Sequence, residues 1–201
     1  MQAKRVTLTI LALAVLYAIP ANADTSASLT MCVGCHGEDG IGTGADIPII
    51  AGIPAVIQED ALYAYIDGDR DCGNMPLMCN IVARLSEEDV QALANYFAAL
   101  PFRPAGEDFD AALAEKGEAV HVRDCAICHS EGASASESSI LHGQRKNYLR
   151  YTLEQYAAGE RTQLPAMQRK TSTLTGDDIE ALLNYYASIP SVSTGVAPAA
   201  N

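Results

Sequence analysis

The sequence predicts an all-α protein built from two tandem domains related by duplication. Two observations carry the duplication and a third carries the helical class. The pattern Cys-x-x-Cys-His occurs twice, in "MCVGCHGEDG" from Met31 and "DCAICHSEGA" from Asp124, with 93 residues between equivalent cysteines. The block "PLMCNIVARLSEEDVQALANYFAALP" lies over "PAMQRKTSTLTGDDIEALLNYYASIP" at a uniform offset of 89. Pro76, Met78, Leu85, Asp89, Leu93, Asn95 and Tyr96 thereby coincide with Pro165, Met167, Leu174, Asp178, Leu182, Asn184 and Tyr185. Between these blocks Gly52 falls over Gly143, Tyr65 over Tyr156 and Gly68 over Gly159, and the middle segments close at Arg70 and Arg161. Self-similarity at this period marks a repeated structural unit, and the alternating pattern of strands is nearly absent.

In chain order, Lys4 and Arg5 precede an apolar run from Val6 to Ile19, and "ANA" (Ala21 to Ala23) supplies a small-residue cleavage site. Residues 1–23 therefore read as a secretory signal peptide. Its apolar run is 14 residues, short of the roughly 20 that cross a bilayer, so no membrane span is expected after cleavage. The first domain is expected over residues 24–100. It ends in a helix started by Ser86 with Asp89 three positions on, close to a capping box, and carried by the buried stripe Val90, Leu93, Ala94 and Phe97. Prolines and a glycine in "PFRPAGED" mark residues 101–108 as a linker. A helix resumes in "FDAALAEKGEAVHVRDC" and delivers Cys125 to the second domain, 109–190. Its terminal helix repeats the first, with Thr175 and Asp178 at the start and Ile179, Leu182, Leu183 and Tyr186 on the buried face. Pro101 and Pro190 lie where these helices stop. The tail, residues 191–201, reads as disordered.

Cleavage would leave 11 Lys+Arg against 25 Asp+Glu, a balance of −14. Such a surface excludes nucleic acid as a natural partner. It suits steering toward a positively charged protein.

Cys-x-x-Cys-His is the attachment signature of c-type haem. Two thioethers anchor the porphyrin, and the adjacent histidine is forced under the iron. A zinc site would need both cysteine pairs to converge on one ion, whereas here each pair heads its own repeat. A redox dithiol needs neither a histidine nor a matching methionine downstream. His36 and His129 are thus the expected proximal ligands, and the repeated Pro-x-Met nominates Met78 and Met167 as the opposite ones. Met75 competes locally with Met78, but the second repeat has Leu164 before Pro165, which favours Met78. A thioether opposite histidine raises the reduction potential and closes the iron to outside ligands, favouring electron transfer over oxygen or peroxide chemistry. His121 and His142 read as packing or surface residues, since Ala51 replaces His142 in the first repeat. Tyr96, Phe97, Tyr185 and Tyr186 are expected to pack the terminal helices, and the glycines of "GEDGIGTG" to form a turn.

Through these motifs the chain resembles the diheme class I cytochromes c of the cytochrome c-four family over nearly all its mature length. Within that family, "PFRPAGEDFDAALAEKGEAVHVRDCAICHSEG" looks most like the interdomain stretch of the cytochrome subunit of flavocytochrome c sulfide dehydrogenase. The resemblance implies two tandem class I cytochrome c domains with two covalently bound haem c groups. Cys32, Cys35, His36 and Met78 would hold the first, and Cys125, Cys128, His129 and Met167 the second. It further implies a periplasmic electron-transfer subunit, not itself an enzyme. Such a subunit takes electrons from a FAD-containing sulfide dehydrogenase subunit and passes them to an external acceptor such as a small cytochrome c. The duplication leads us to expect the haems to face each other across the domain boundary. Three rivals remain: a free shuttle between a quinol-oxidising complex and a terminal oxidase; a diheme peroxidase or haem sensor, which needs a labile sixth ligand; and a docking module whose haems only store charge.

Cys72 and Cys79 depart from the family pattern. The second repeat keeps Pro165 and Met167 but has no cysteines there, so "CGNMPLMC" is not a copper site. In an oxidising compartment the two are expected to form a disulfide around the loop that carries Met78.

Overall fold

The computed structural model describes residues 25–73, 76–129 and 138–189. The expected signal peptide, Asn74, Met75, Pro190 and the tail lie outside the described residues. The first domain consists of α1 (Thr25–His36), α2 (Ala55–Ile66), α3 (Pro76–Val82) and α4 (Glu87–Ala98). The second consists of α5 (Ala111–Asp124), α6 (Ala126–His129), α7 (Lys146–Ala158), α8 (Pro165–Thr171) and α9 (Gly176–Ser188). No strand occurs among the described residues.

Both terminal helices start as their sequences dictate. The Asp89 and Asp178 N–H groups donate to the hydroxyls of Ser86 and Thr175, while the two carboxylates accept from the cap residues' own N–H groups. This closes a reciprocal box that satisfies otherwise orphaned donors. The helices then bury Val90, Leu93, Ala94 and Phe97 in one domain and Ile179, Leu182, Leu183 and Tyr186 in the other. Each domain repeats one packing scheme. The helix bearing the Cys-x-x-Cys-His motif or leading to it (α1, α5) crosses the terminal helix (α4, α9), and α2 or α7 packs on the same terminal helix. The α5–α9 crossing is close because Gly117 lies against it: a Cβ there would come within 2.1 Å of the Ala181 carbonyl oxygen.

Gly52 and Gly143 show the duplication in the backbone. Both have φ of 70°, a conformation in which a Cβ would be strained. Their N–H groups donate to the carbonyls of Phe97 (2.9 Å) and Tyr186 (2.8 Å) at the ends of the buried terminal-helix stripes. The linker lies on both glycines, since an added Cβ would come within 2.9 Å of Phe102 at Gly52 and 2.4 Å of Pro104 at Gly143.

Polar contacts between the two domains accumulate beside this linker. Gln144 binds the backbone of Ile49, Asn147 donates to Asp46 (3.0 Å), and Arg145 donates to the carbonyls of Ile41 (3.3 Å) and Gly42 (3.2 Å). Gln144 and Ile49 are both fully buried.

Candidate haem-binding sites

Cys32, Cys35 and His36 occupy the last turn of α1, and Met78 sits on α3. All four line a single cavity of about 390 Å³. That is within the range of sites for small molecules and cofactors. Ile49, Ile53, Leu93 and Phe97 give it an apolar wall, and Cys72 is also part of the lining. Cys72 and Cys79 are joined as a disulfide, with Cα atoms 5.9 Å apart, so the covalent loop closes around Met78. Cys32 and Cys35 are free.

His36 is 9% exposed, and its Nδ1 lies 3.2 Å from the Pro48 carbonyl. A carbonyl only accepts, so Nδ1 carries the hydrogen and Nε2 keeps its lone pair for a metal. Burial lowers the affinity of this ring for a proton, with the Pro48 bond acting in the opposite direction. A neutral imidazole is what metal ligation requires. Burial, then the nearby Asp89 and Cys35, push the Cys32 thiol up to about 11. A redox dithiol has the reverse property. Among the described residues, moreover, no three His, Cys, Asp or Glu side chains gather as an ion site. The donor set therefore fits a haem, which brings its own iron.

The second motif has equivalent positions along the chain. Cys125 follows α5, Cys128 and His129 lie in α6, and Met167 lies on α8, the counterpart of α3. His129 Nδ1 is 3.4 Å from the Ser139 carbonyl, and burial again lowers its proton affinity. Ser139 stands where Pro48 stands in the first repeat. Residues 130–137, which follow His129 in the chain, lie outside the described residues. His121 is buried, with Nδ1 3.1 Å from the Tyr186 hydroxyl, so it packs the core of this domain. Of the four terminal-helix aromatics, Phe97 and Tyr186 are buried. Tyr185 is half-buried against the His121 ring. Tyr96 stays at the edge, its hydroxyl donating to the Glu38 carbonyl at 3.3 Å.

Sequence reasoning did not identify one part of the first cavity. Tyr148, Tyr151, Tyr156 and Arg161 of the second domain line it beside His36 and Met78. Arg70, 7% exposed, donates from Nη2 to the Tyr148 hydroxyl at 3.0 Å. Burial by itself would raise the Tyr148 phenol, but Arg70 and Arg161 outweigh it and pull it down to about 8. The coincidence of Arg70 with Arg161 in the repeats was the available signal. Tyr148 had none, because Ile57 takes its place in the first repeat.

Fold and sites together define a two-domain class I cytochrome c with two covalently bound haem c groups. Residues 23–97 and 112–185 match the family described as cytochrome c oxidase, cbb3-type, subunit III, and the chain belongs to that family of cytochrome c domains. Cytochrome c4 of Pseudomonas aeruginosa is 27% identical over 173 residues, covering 79% of this chain and 84% of the relative. The thiosulfate dehydrogenase electron acceptor of Stutzerimonas stutzeri is 38% identical over 76 residues, covering 38% of this chain and 35% of the relative. This match thus spans about a third of that relative's length. Among solved structures, cytochrome c4 of Acidithiobacillus ferrooxidans superposes with a TM-score of 0.68 at 24% identity, over 80% of this chain and 99% of that one. Thiosulfate dehydrogenase from Marichromatium purpuratum gives a TM-score of 0.64 at 28% identity, over 79% of this chain and 36% of that one. The chain is a diheme electron-transfer cytochrome of the cytochrome c4 type, and no helix among the described residues is long and apolar enough to cross a membrane.

Proposed function

We propose that the chain is a periplasmic relay that accepts electrons from a dehydrogenase of reduced sulfur compounds and passes them to a small external cytochrome. The carrying observation is the convergence of His36, with Nδ1 tied to a backbone carbonyl, and Met78 on one apolar cavity. In this reading Cys32 and Cys35 anchor the first haem, and Cys125 and Cys128 the second. His36 and Met78 would hold the iron of the first, and His129 and Met167 that of the second. The bound groups supply reversible one-electron storage. The protein fixes the imidazoles through Pro48 and Ser139, excludes water from the first cavity with its aliphatic wall, and would offer a thioether as a further iron ligand. A closed position leaves no room for peroxide chemistry, which argues against a peroxidase or sensor. Replacing Met78 or Met167 by Ala tests the ligands. Each variant should lose the far-red absorption of one Met-ligated ferric haem, and retention of both bands sinks the assignment.

Two donors are consistent with the reading. The linker resemblance favours a FAD-containing sulfide dehydrogenase subunit. The similarity to thiosulfate dehydrogenase and its electron acceptor favours a thiosulfate-oxidising partner. Rapid mixing separates them: the purified holoprotein is combined with either dehydrogenase and its substrate, and haem reduction is followed optically. Reduction within a catalytic turnover by one of them is expected. If neither reduces it while a quinol-oxidising complex does, the chain is a free shuttle.

A further inference from the structure

Residues 24–100 contain two cations, Arg70 and Arg84, in a domain otherwise rich in carboxylates. One of them is buried. The Arg70 guanidinium lies 4.2 Å over the Tyr65 ring, and its polar partner is the hydroxyl of Tyr148. The repeat-equivalent Arg161 lies 4.7 Å over the ring of Tyr156, which is itself the counterpart of Tyr65. Arg161 lines the cavity together with Tyr148, and its Nη1 is buried with no acceptor among the described residues. Neither arginine pairs with a carboxylate there; the ion pairs lie elsewhere, at Arg103, Arg123, Arg150 and Lys170. A cation-π contact offsets only a small part of the desolvation of a guanidinium, and an unpaired buried charge costs several kcal/mol. A buried guanidinium at Arg70 and a half-buried one at Arg161, both facing one cavity, call for anions supplied by its occupant. A haem carries two propionate carboxylates, and guanidinium forks are suited to carboxylates.

We propose that Arg70, held by the Tyr148 hydroxyl, and Arg161 form a cation seat spanning the domain boundary for the propionates of the haem attached at Cys32 and Cys35, so that the second domain sets that haem's reduction potential. The inference rests on the haem assignment above. Its physical basis is charge: a fixed cation beside a group that gains an electron favours the reduced state, strongly where water is excluded. Arg161 and Tyr148 are positioning residues here, acting on the first haem through its carboxylates.

The test is spectroelectrochemical titration of the full-length holoprotein with Met78 intact, the first haem being assigned beforehand in a separate Met78→His variant by the loss of its far-red band and the shift of its potential. Arg161→Gln should lower the first haem's reduction equilibrium at least tenfold, about 59 mV for one electron. Its far-red band should persist, and Arg161→Lys should restore most of the loss. Tyr148→Phe, which keeps the ring, should lower it in the same direction by a smaller amount. It also serves as the test should Arg161→Gln fail to fold. An unchanged potential of the first haem in the folded variants, or a shift confined to the second haem, overturns the proposal. Failure of the underlying haem assignment is distinct, because a pyridine haemochrome assay would then find fewer than two haems per chain in the unmodified protein.

Discussion

The side chain of Gln144 pairs with both backbone hydrogen-bonding groups of Ile49. The Ile49 N–H donates to Oε1 at 2.8 Å, and Nε2 donates to the Ile49 carbonyl at 2.7 Å. The two residues belong to different domains, and Ile49 follows Pro48, whose carbonyl fixes the His36 ring. Domain docking and proximal-ligand orientation thus share one short stretch of backbone.

Gln144→Leu removes both bonds while keeping the volume, leaving an N–H and a carbonyl buried without partners. Each such group costs about 1–3 kcal/mol. The variant is expected to unfold at lower denaturant, with the two domains separating into distinct transitions. Denaturation followed by haem absorbance checks this, and a single unshifted transition would show that the clip contributes nothing.

Gly117→Val probes the helix crossing of the second domain. A Cβ at this position would lie 2.1 Å from the Ala181 carbonyl oxygen and 2.7 Å from the Tyr185 Cβ. Because the neighbour is backbone, α5 and α9 must move apart, and overpacking of this kind costs roughly 1–3 kcal/mol. Calorimetry should show a lower melting temperature than that of the unmodified protein, and an unchanged one would mean that the crossing tolerates the side chain.

The Cys72–Cys79 bridge closes a loop of sequence separation 7. Closing so short a loop stabilises by about 2–3 kcal/mol in the chain-entropy account. In a Cys72→Ser/Cys79→Ser variant the far-red band of the first haem should disappear at lower denaturant than that of the second. Equal resistance of the two bands would mean that the bridge does not secure Met78.

Acid should weaken the start of α9. Hydrogen bonds from Thr175 hold the Asp178 carboxyl below its ordinary range, and a hydrogen bond from Arg150 does the same for Glu180. A carboxyl depressed in the folded state contributes stability that is present above its unfolded pKa, about 4, and is lost as pH falls through the folded value. Thr175→Ala removes the cap at a cost of about 0.5–2 kcal/mol. The gap between variant and parent should therefore be full near pH 6 and shrink below pH 4. Urea midpoints at both pH values measure it; a gap that widens in acid contradicts the assignment.

What was legible in the sequence was local or repeated. Ser86 with Asp89 and Thr175 with Asp178 announce their helices through contacts three residues apart, and both Cys-x-x-Cys-His motifs announce their chemistry in five. The short helices α3 and α8 were not foreseen, since seven residues hold too little periodicity to separate a helix from a loop. Gln144 and Ile49 meet across 95 residues, through polar groups that no hydrophobic pattern registers. Duplication helped where both copies kept a residue, as at Gly52 and Gly143. At Tyr148 it was no guide, because the copies diverged there.

That divergence bears on how the two halves can evolve. A newly duplicated gene encodes two self-sufficient modules, either of which can be lost. Here Tyr148, Tyr151, Tyr156 and Arg161 form part of the wall of the first domain's cavity, and Tyr151 packs where a Gly73 Cβ would otherwise project. The amino-terminal half no longer encloses its own pocket. Excision at the linker would remove that part of the wall and leave the cavity open on the side that the second domain covers.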